Sequence, residues 1–542
     1  MQPTSAYLLV AGVPRERYVL AEADAAGSVI GRPETVTPDG LAEAFAGRDA
    51  DHRRWVFDDV RRWYPAIVAA GVRLTRCHDL RLCRAILAGS ELSPGLAGTE
   101  FSVPDVTPSG PPALFGNDGG TALDDVESEL RRQVTALADA DEPWRLRLLC
   151  AAESAGGLLG VEMTADGVPW RADVHDALLK DALGPRPAPG YRPAGLEALA
   201  ANVRSALDAP ELNPDSPAEV LKALQYAGLR VETTRSWELK RLTHPAIAPL
   251  LEYKKLSRLM TANGWAWLDE WVSDGRFRPE YVPGGASSGR WAANGGGALQ
   301  IPAQVRPAVR ADDGWKLVVA DAAQLEPRVL AALSGDSAMM EAGRERDLYA
   351  GIAAQGFGGD RAHAKVAMLG AIYGSTTGES GRLMPQLRRT FPRAVGYVED
   401  AARTGERGGI VTTRLGRSCP PAGDDWAAML RTVSAEEERR AVGIARSRGR
   451  FTRNFVIQGS AADWALCWLA ELRSALRRIS DEPRLVFFLH DEVMVHCPAG
   501  MAGQVAEAID DAAAAATHLM FGDIPVTFPL TTSAVDAYSD AK

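Results

Sequence analysis

Two aspartates and a short run of cations are the residues of this chain whose types and spacing could do chemistry. Asp321 ends the apolar run "WKLVVAD", and Asp491 lies in "RLVFFLHDEVMVHCP" between His490 and Glu492. Neighbouring side chains on one continuous strand face opposite sides, so one of these late acids would be forced into the core at a cost. That cost disappears if "LVFFL" and "VMVHC" are two strands of a hairpin with "HDE" as its turn, because the carboxylates then stand together at an exposed tip. "KLVVA" reads as a buried strand with Asp321 at its C-terminal end. Pro327 suits the first turn of the helix "PRVLAALS", which Gly335 ends. Two carboxylates converging from rigid strands suit a pair of Mg²⁺ ions, with Mn²⁺ as a substitute. Such ions take oxygen ligands and keep positions open for phosphate and water. A single strand-terminal Asp is more often a cap or a turn residue.

The cations lie in "DRAHAKVAMLGAIYGST", where Arg361, Lys365, Leu369 and Tyr373 recur every fourth residue. On a helix they form a slowly rotating stripe. Two cations followed by an aromatic suit a nucleoside triphosphate, with the charges on the phosphates and the ring near the sugar and base. The bland alternative is a solvated basic face with a buried tyrosine.

These segments belong to a chain of 542 residues, enough for two to four domains, with 46% hydrophobic and 24% charged residues. The formal net charge of -10 argues against an overall basic surface for nucleic acid, yet leaves room for a local basic cleft. Six cysteines without a CxxC pair fit a reducing compartment. No signal-peptide pattern and no bilayer-length apolar run are present, so a cytoplasmic protein with no membrane partner is expected. Residues 1 to about 190 mix strand-like and helical runs around a Pro/Gly-rich break, "FSVPDVTPSGPPALFGNDGG", and close at "LGPRPAPGYRP". A strongly helical stretch follows, then the glycine-rich "PGGASSGRWAANGGGALQIPAQVR", the strand ending at Asp321, a mostly helical insertion and the hairpin.

In that order, "SGRWAANGGGALQIP", "DAAQLEPRVLAALSGD", "RAHAKVAMLGAIYG", "NFVIQGSAAD" and "HDEV" resemble the motifs of the family A DNA polymerases. "EYKKLSRLM" is similar to the family's thumb segment and "TTRLGR" to its fingers-to-palm return, so the resemblance spans about residues 195 to 540. It implies a mixed α/β fold: an N-terminal ribonuclease H-like, exonuclease-like domain over 1–190, then a right-hand polymerase domain over 191–542. Within the latter it implies a thumb at 195–285, a palm at 286–340 and 450–542, and fingers at 341–449. By resemblance, Asp321 and Asp491 hold two metal ions, with Glu492 tuning them from outside their ligand shell. Arg361 and Lys365 take the triphosphate, with Lys365 also a proton donor to pyrophosphate. Glu326 is the steric gate against a ribose 2′-hydroxyl, Tyr373 is its packing partner, and Gln324 and Leu369 complete the nucleotide site. Arg290, Arg450, Asn454, Gln458 and His490 match positions that touch primer–template DNA near its end. Minor-groove acceptors there are shared by all base pairs. The ordinary reading of Asn454 and Gln458 is one face of a helix.

The resemblance therefore implies a monomeric, nucleoid-associated DNA-directed DNA polymerase, a nucleotidyltransferase acting on dNTPs in repair or gap filling. A non-catalytic DNA-binding scaffold is the alternative, and Glu326 disfavours a single-subunit RNA polymerase. Leu369 replaces an aromatic, Tyr349 a histidine, and Ala322 and Ala323 a bulkier pair, so an active but atypical enzyme is expected. The N-terminal half resembles a degenerate 3′–5′ exonuclease: its early acids, Glu22 and Asp24, stand in reversed order, and Trp63 or Tyr64 occupies the position of a metal aspartate. A structural domain that does not proofread is the expectation.

Overall fold

The computed structural model describes residues 5–50, 52–96, 101–103, 119–294, 301–375, 377–431 and 434–541. Most of the break at 101–120, and residues 295–300 within "SGRWAANGGGALQIP", lie outside the described residues.

Alternating apolar residues open the chain as strands β1 (Tyr7–Val13), β2 (Arg17–Ala23) and β3 (Val29–Val36), joined by β4 (Arg54–Phe57) and β5 (Cys77–Asp79). The sheet order is β3-β2-β1-β4-β5, with β1 antiparallel to β2 and parallel to β4. Successive side chains of β1 serve opposite faces. Leu8 and Val10 join Trp55, Phe57 and Trp63 in one core, whereas Leu9 and Ala11 join Val56, Leu80 and Leu130 in another. Helices α1 (Val60–Ala69), α2 (Leu80–Gly89) and α3 (Leu123–Ala138) supply the covering residues.

Helix α4 (Pro143–Asp166) is buried around its circumference, as an interior helix must be if apolar side chains surround its axis. Its glycines admit neighbours closely: a Cβ on Gly156 would lie 3.2 Å from Leu466 and Trp291, and one on Gly160 would lie 3.3 Å from Pro283.

The second half contributes the antiparallel pair β6 (Glu280–Val282) and β7 (Ala292–Asn294), then β8 (Trp315–Ala322), β9 (Arg484–Leu489), β10 (Glu492–Pro498) and β11 (Leu530–Val535). The last four form a sheet in the order β9-β10-β8-β11. Its helices include α5 (Leu325–Ser334), α6 (Leu348–Gly356), α7 (Arg361–Tyr373) and the 45-residue α8 (Ala435–Ile479). Local signals set their ends. Asp360 accepts the His363 N–H at the start of α7, and Gly374 closes it at φ +71°, a conformation that L side chains resist. Gly335 closes α5 in the same way at φ +57°.

By contacts, Met1–Asp166, Glu280–Asn294 and Val318–Ala534 form one compact unit, and Gly167–Pro279, Gly295–Leu317 and Val535–Lys542 form another. The sequence reading ended the N-terminal half near residue 190. In the structure residues 167–190 belong to the second unit instead, because Trp170 and His175 pack against Trp267 and Phe277 in its interior. The N-terminal sheet and the β8–β11 sheet share the first unit, since α4 packs on α8 as well as on α1. Helices Ala194–Ala206, Pro217–Tyr226 and Ile247–Asn263 enclose the second unit's own core around Val203, Leu224, Leu239 and Leu250. Among the described residues all six cysteines are free and buried, and no helix is long and apolar enough to cross a membrane.

Candidate active site

The β9–β10 hairpin turns through His490 and Asp491, since Leu489 and Glu492 are its last paired residues. A 2.6 Å bond from the Asp491 N–H to the Leu489 carbonyl closes the turn and holds His490 at φ +55°, unusual for a residue with a Cβ. The expectation that Glu492 stands at an exposed tip is corrected: it opens β10 and is only 4% exposed, because the turn uses two residues and leaves the third to the strand. Asp321 and Asp491 meet as neighbours. The Ala322 N–H donates to the Asp491 carbonyl at 2.8 Å, so the end of β8 is fastened to the hairpin tip beside it. Both aspartates are half-buried.

A cavity of about 290 Å³ adjoins Asp491, lined by Arg290, Gln324, Glu326, Tyr349, Leu369, Tyr373 and His490 among others. All eight are residues that the sequence reading singles out, and they come from widely separated segments. Glu326, in the first turn of α5, accepts from Arg290 Nη2 at 2.5 Å and from the Tyr373 hydroxyl at 2.6 Å. Burial, and then this bond to a carboxylate, push the Tyr373 hydroxyl well above its ordinary pKa. Burial, and then the Arg290 charge, hold the His490 imidazole below its ordinary value, which favours its neutral form.

Arg361 and Lys365 are exposed on α7, away from the lining. Arg361 donates to Asp347 Oδ2 at 2.5 Å and lies over the Tyr349 ring, 5.7 Å from its centroid. Asp347 also accepts from Gln324 Nε2 at 2.9 Å and caps α6. Burial raises its carboxyl, but the bonds from Arg361 and Gln324 outweigh that and hold it below the usual range. Gln324, at φ +58°, thus braces the start of α6 as well as lining the cavity. On α8, Asn454 and Gln458 are half-buried and Arg450 is exposed. Gln458 lies beside the Tyr373 hydroxyl, the Asn454 Oδ1 is buried with no hydrogen bond among the described residues, and Arg450 packs against Gly374.

Two further arginines escaped the sequence reading. Arg328, fully buried on α5, donates to the carbonyls of Ala323, Gly343, Glu345, Arg346 and Thr527 and so ties α5 to the segment that carries Asp347. Burial lowers its pKa to about 10. Arg417 of "TTRLGR" is buried between Glu153 and Asp463. The only local signal for Arg328 was a cation inside the apolar run "LEPRVLAALS".

Among the described residues no group of three or more His, Cys, Asp and Glu side chains could hold a metal ion. Two half-buried aspartates on backbone segments fastened to each other offer only oxygen donors, which suits a hard divalent cation whose shell phosphate and water complete. The acids of the N-terminal sheet are used differently. Asp58 accepts from the Asp59 N–H and the Trp63 indole, each at 2.6 Å, and from Arg62 and Thr121. Asp59 takes Arg61 and Arg81, and Asp79 caps α2. Glu22 lies on β2 within 3.4 Å of Arg53, and Asp24 closes the following turn. Trp63 and Tyr64 fill the core, where Tyr64 donates to Glu162 at 2.5 Å.

Residues 194–535 match the model of the family described as DNA polymerase family A. DNA polymerase I of Chloroflexus aurantiacus is 30% identical over 315 residues, 53% of this chain and 32% of that one. The thermostable DNA polymerase I of Thermus aquaticus is 25% identical over 337 residues, 56% of this chain and 37% of that one. The match thus spans about a third of the length of these curated relatives. The solved POL domain of Pol1 from M. smegmatis, in complex with DNA primer-template and dNTP, shares the fold with a TM-score of 0.68 at 18% identity, covering 98% of this chain and 95% of that one. With the family model matching well over half its length, this chain belongs to DNA polymerase family A.

Proposed function

We propose that this chain is a template-directed DNA polymerase that adds dNTPs to a primer 3′-hydroxyl, acting as a monomer on primer–template DNA in repair or gap filling. The observation that carries the reading is the fastening of the strand end that bears Asp321 to the turn that bears Asp491, with Asp491 lining a cavity shared with Glu326 and Tyr373. Asp321 and Asp491 are the residues that would hold two Mg²⁺ ions. Cations bound there lower the pKa of the attacking hydroxyl and neutralise charge on the triphosphate and the leaving pyrophosphate. Arg361 and Lys365 bind the triphosphate, for which Arg361 exchanges its Asp347 partner. Lys365 then gives a proton to the pyrophosphate oxygen. Glu326, immobilised by Arg290 and Tyr373, fills the space that a ribose 2′-hydroxyl would need. Arg290, His490, Gln458, Asn454 and Arg450 bind the primer–template end.

The N-terminal half acts in this reading as a structural, non-proofreading domain. Support comes from Asp58, Asp59 and Asp79, whose oxygens are committed to caps and ion pairs, and from the rings of Trp63 and Tyr64 in the core.

Primer extension with Mg²⁺ and dNTPs, beside the Asp321→Asn/Asp491→Asn double variant, tests the polymerase. Extension is expected from the wild type alone; equal extension by both proteins, or by neither, removes the reading and leaves a DNA-binding scaffold. Metal-dependent 3′ shortening of single-stranded DNA that survives in the double variant would overturn the assignment of the N-terminal half.

A further inference from the structure

The N-terminal half reaches into the turn that carries Arg290. Glu153, on α4 and 1% exposed, accepts from Arg417 Nη2 at 2.5 Å through one oxygen. Its other oxygen accepts no hydrogen bond among the described residues and lies against Gly284, whose Cβ, were there one, would be 2.7 Å away. Arg417 completes its shell with Asp463 on α8, at 3.1 Å, and Asp463 is held in turn by the Thr413 hydroxyl at 2.6 Å. The guanidinium lies directly beneath Gly289. A Cβ there would meet Arg417 Nε at 2.4 Å and Cζ at 2.6 Å, so the backbone rests on the cation with no room for a side chain. Gly289 is at φ +82°, and the turn closes through Gly289 N–H to Ala286 and Ala286 N–H to the Arg290 carbonyl. The next side chain, Arg290, is the one that holds Glu326.

We infer that Glu153 is a positioning residue for primer-end recognition: by fixing Arg417 beneath Gly289 it sets the turn that presents Arg290 to the cavity. The exonuclease-like half is thereby a working brace of the polymerase site. This rests on the reading of Arg290 as a primer contact given under Proposed function. The physical requirement is strict. Removing one partner of a buried ion pair leaves the other charge poorly compensated, and the groups it touches must shift to accommodate it. A turn resting on that charge moves with it.

The test is a double-mutant cycle on primer–template affinity, read by fluorescence anisotropy, since coupling through a network needs direct measurement. Glu153→Gln, which keeps the volume and removes the charge, should weaken primer–template binding about fivefold while leaving the dNTP KM within about twofold. Added to Arg290→Ala it should cost nothing further. Gly289→Ala, which drives a methyl into Arg417 while Glu153 is intact, should reproduce the loss and carries the test if Glu153→Gln fails to fold. Unchanged affinity in the folded Glu153 or Gly289 variant, losses that multiply with that of Arg290→Ala, or a matching rise in dNTP KM would overturn the brace. A wild type that binds primer–template but extends no primer would remove the polymerase reading while leaving the brace measurable.

Discussion

Asp58 and Asp79 stand at the ends of β4 and β5 much as Asp321 stands at the end of β8, yet their surroundings differ in kind. Asp58 is fully buried, with both oxygens engaged by the Asp59 N–H, the Trp63 indole, Arg62 and Thr121. Asp79 is buried as well and receives the N–H groups of Val60 and Leu82, each at 2.8 Å. Asp321 and Asp491 are half-buried, fastened through backbone, and Asp491 faces a cavity. An acid at a strand end is therefore equally at home in a fold and in a site. What separates the two is enclosure: Asp58 and Asp79 are buried among donors, whereas Asp491 borders space that a ligand can enter.

The sharpest way to break this contrast is to neutralise one acid of each kind. Asp491→Asn should lower the rate of primer extension by about 10³-fold, roughly 4 kcal/mol of barrier, with little change in melting temperature. Asp58→Ala should do the reverse. It leaves Arg62 without its buried partner and should cost about 3 kcal/mol in urea unfolding, with extension per folded molecule held within about twofold. Equal effects of the two on activity would erase the distinction.

Enclosed groups should also declare themselves in pH dependence of stability. His175 is fully buried, accepts the Trp170 indole N–H at 3.3 Å and bonds the Asn263 carbonyl at 2.9 Å, and burial pushes its pKa down to about 4. The unfolded chain takes up a proton near pH 6.5, so unfolding becomes easier as pH falls from about 6.5 to about 4, by up to ~3 kcal/mol, with no such loss above that window. Urea titrations of wild type and His175→Gln across this range check it; the variant should lose the slope.

Smaller effects sharpen the open side. Arg361→Ala should raise the dNTP KM about tenfold, a net effect because wild-type Arg361 must first release Asp347 to reach the triphosphate. Glu326→Ala should narrow discrimination between dNTP and rNTP by about tenfold, measured as the ratio of kcat/KM values.

Sequence alone was a good guide wherever the cause was local. The caps of α7 at Asp360 and Gly374, the stop of α5 at Gly335 and the two strands of the β9–β10 hairpin follow from neighbours a few residues away. The order of motifs also located most of the cavity lining before any fold was known. It was less reliable at the hairpin tip, where a two-residue turn drew Glu492 into β10, and it did not show that Trp170 and His175 pack with Trp267 and Phe277.

Residue types and local spacing thus determined which segments become strands and helices, and which acids and cations are available for chemistry. Only the tertiary structure decided that Arg290 joins Glu326 and its partner Tyr373 in one hydrogen-bonded set, that Asp347 holds Arg361, and that Glu153 of the first half underlies a turn of the second. These pairings join residues far apart in the chain, and such contacts depend on which buried surfaces come together, a choice that no short stretch of sequence encodes.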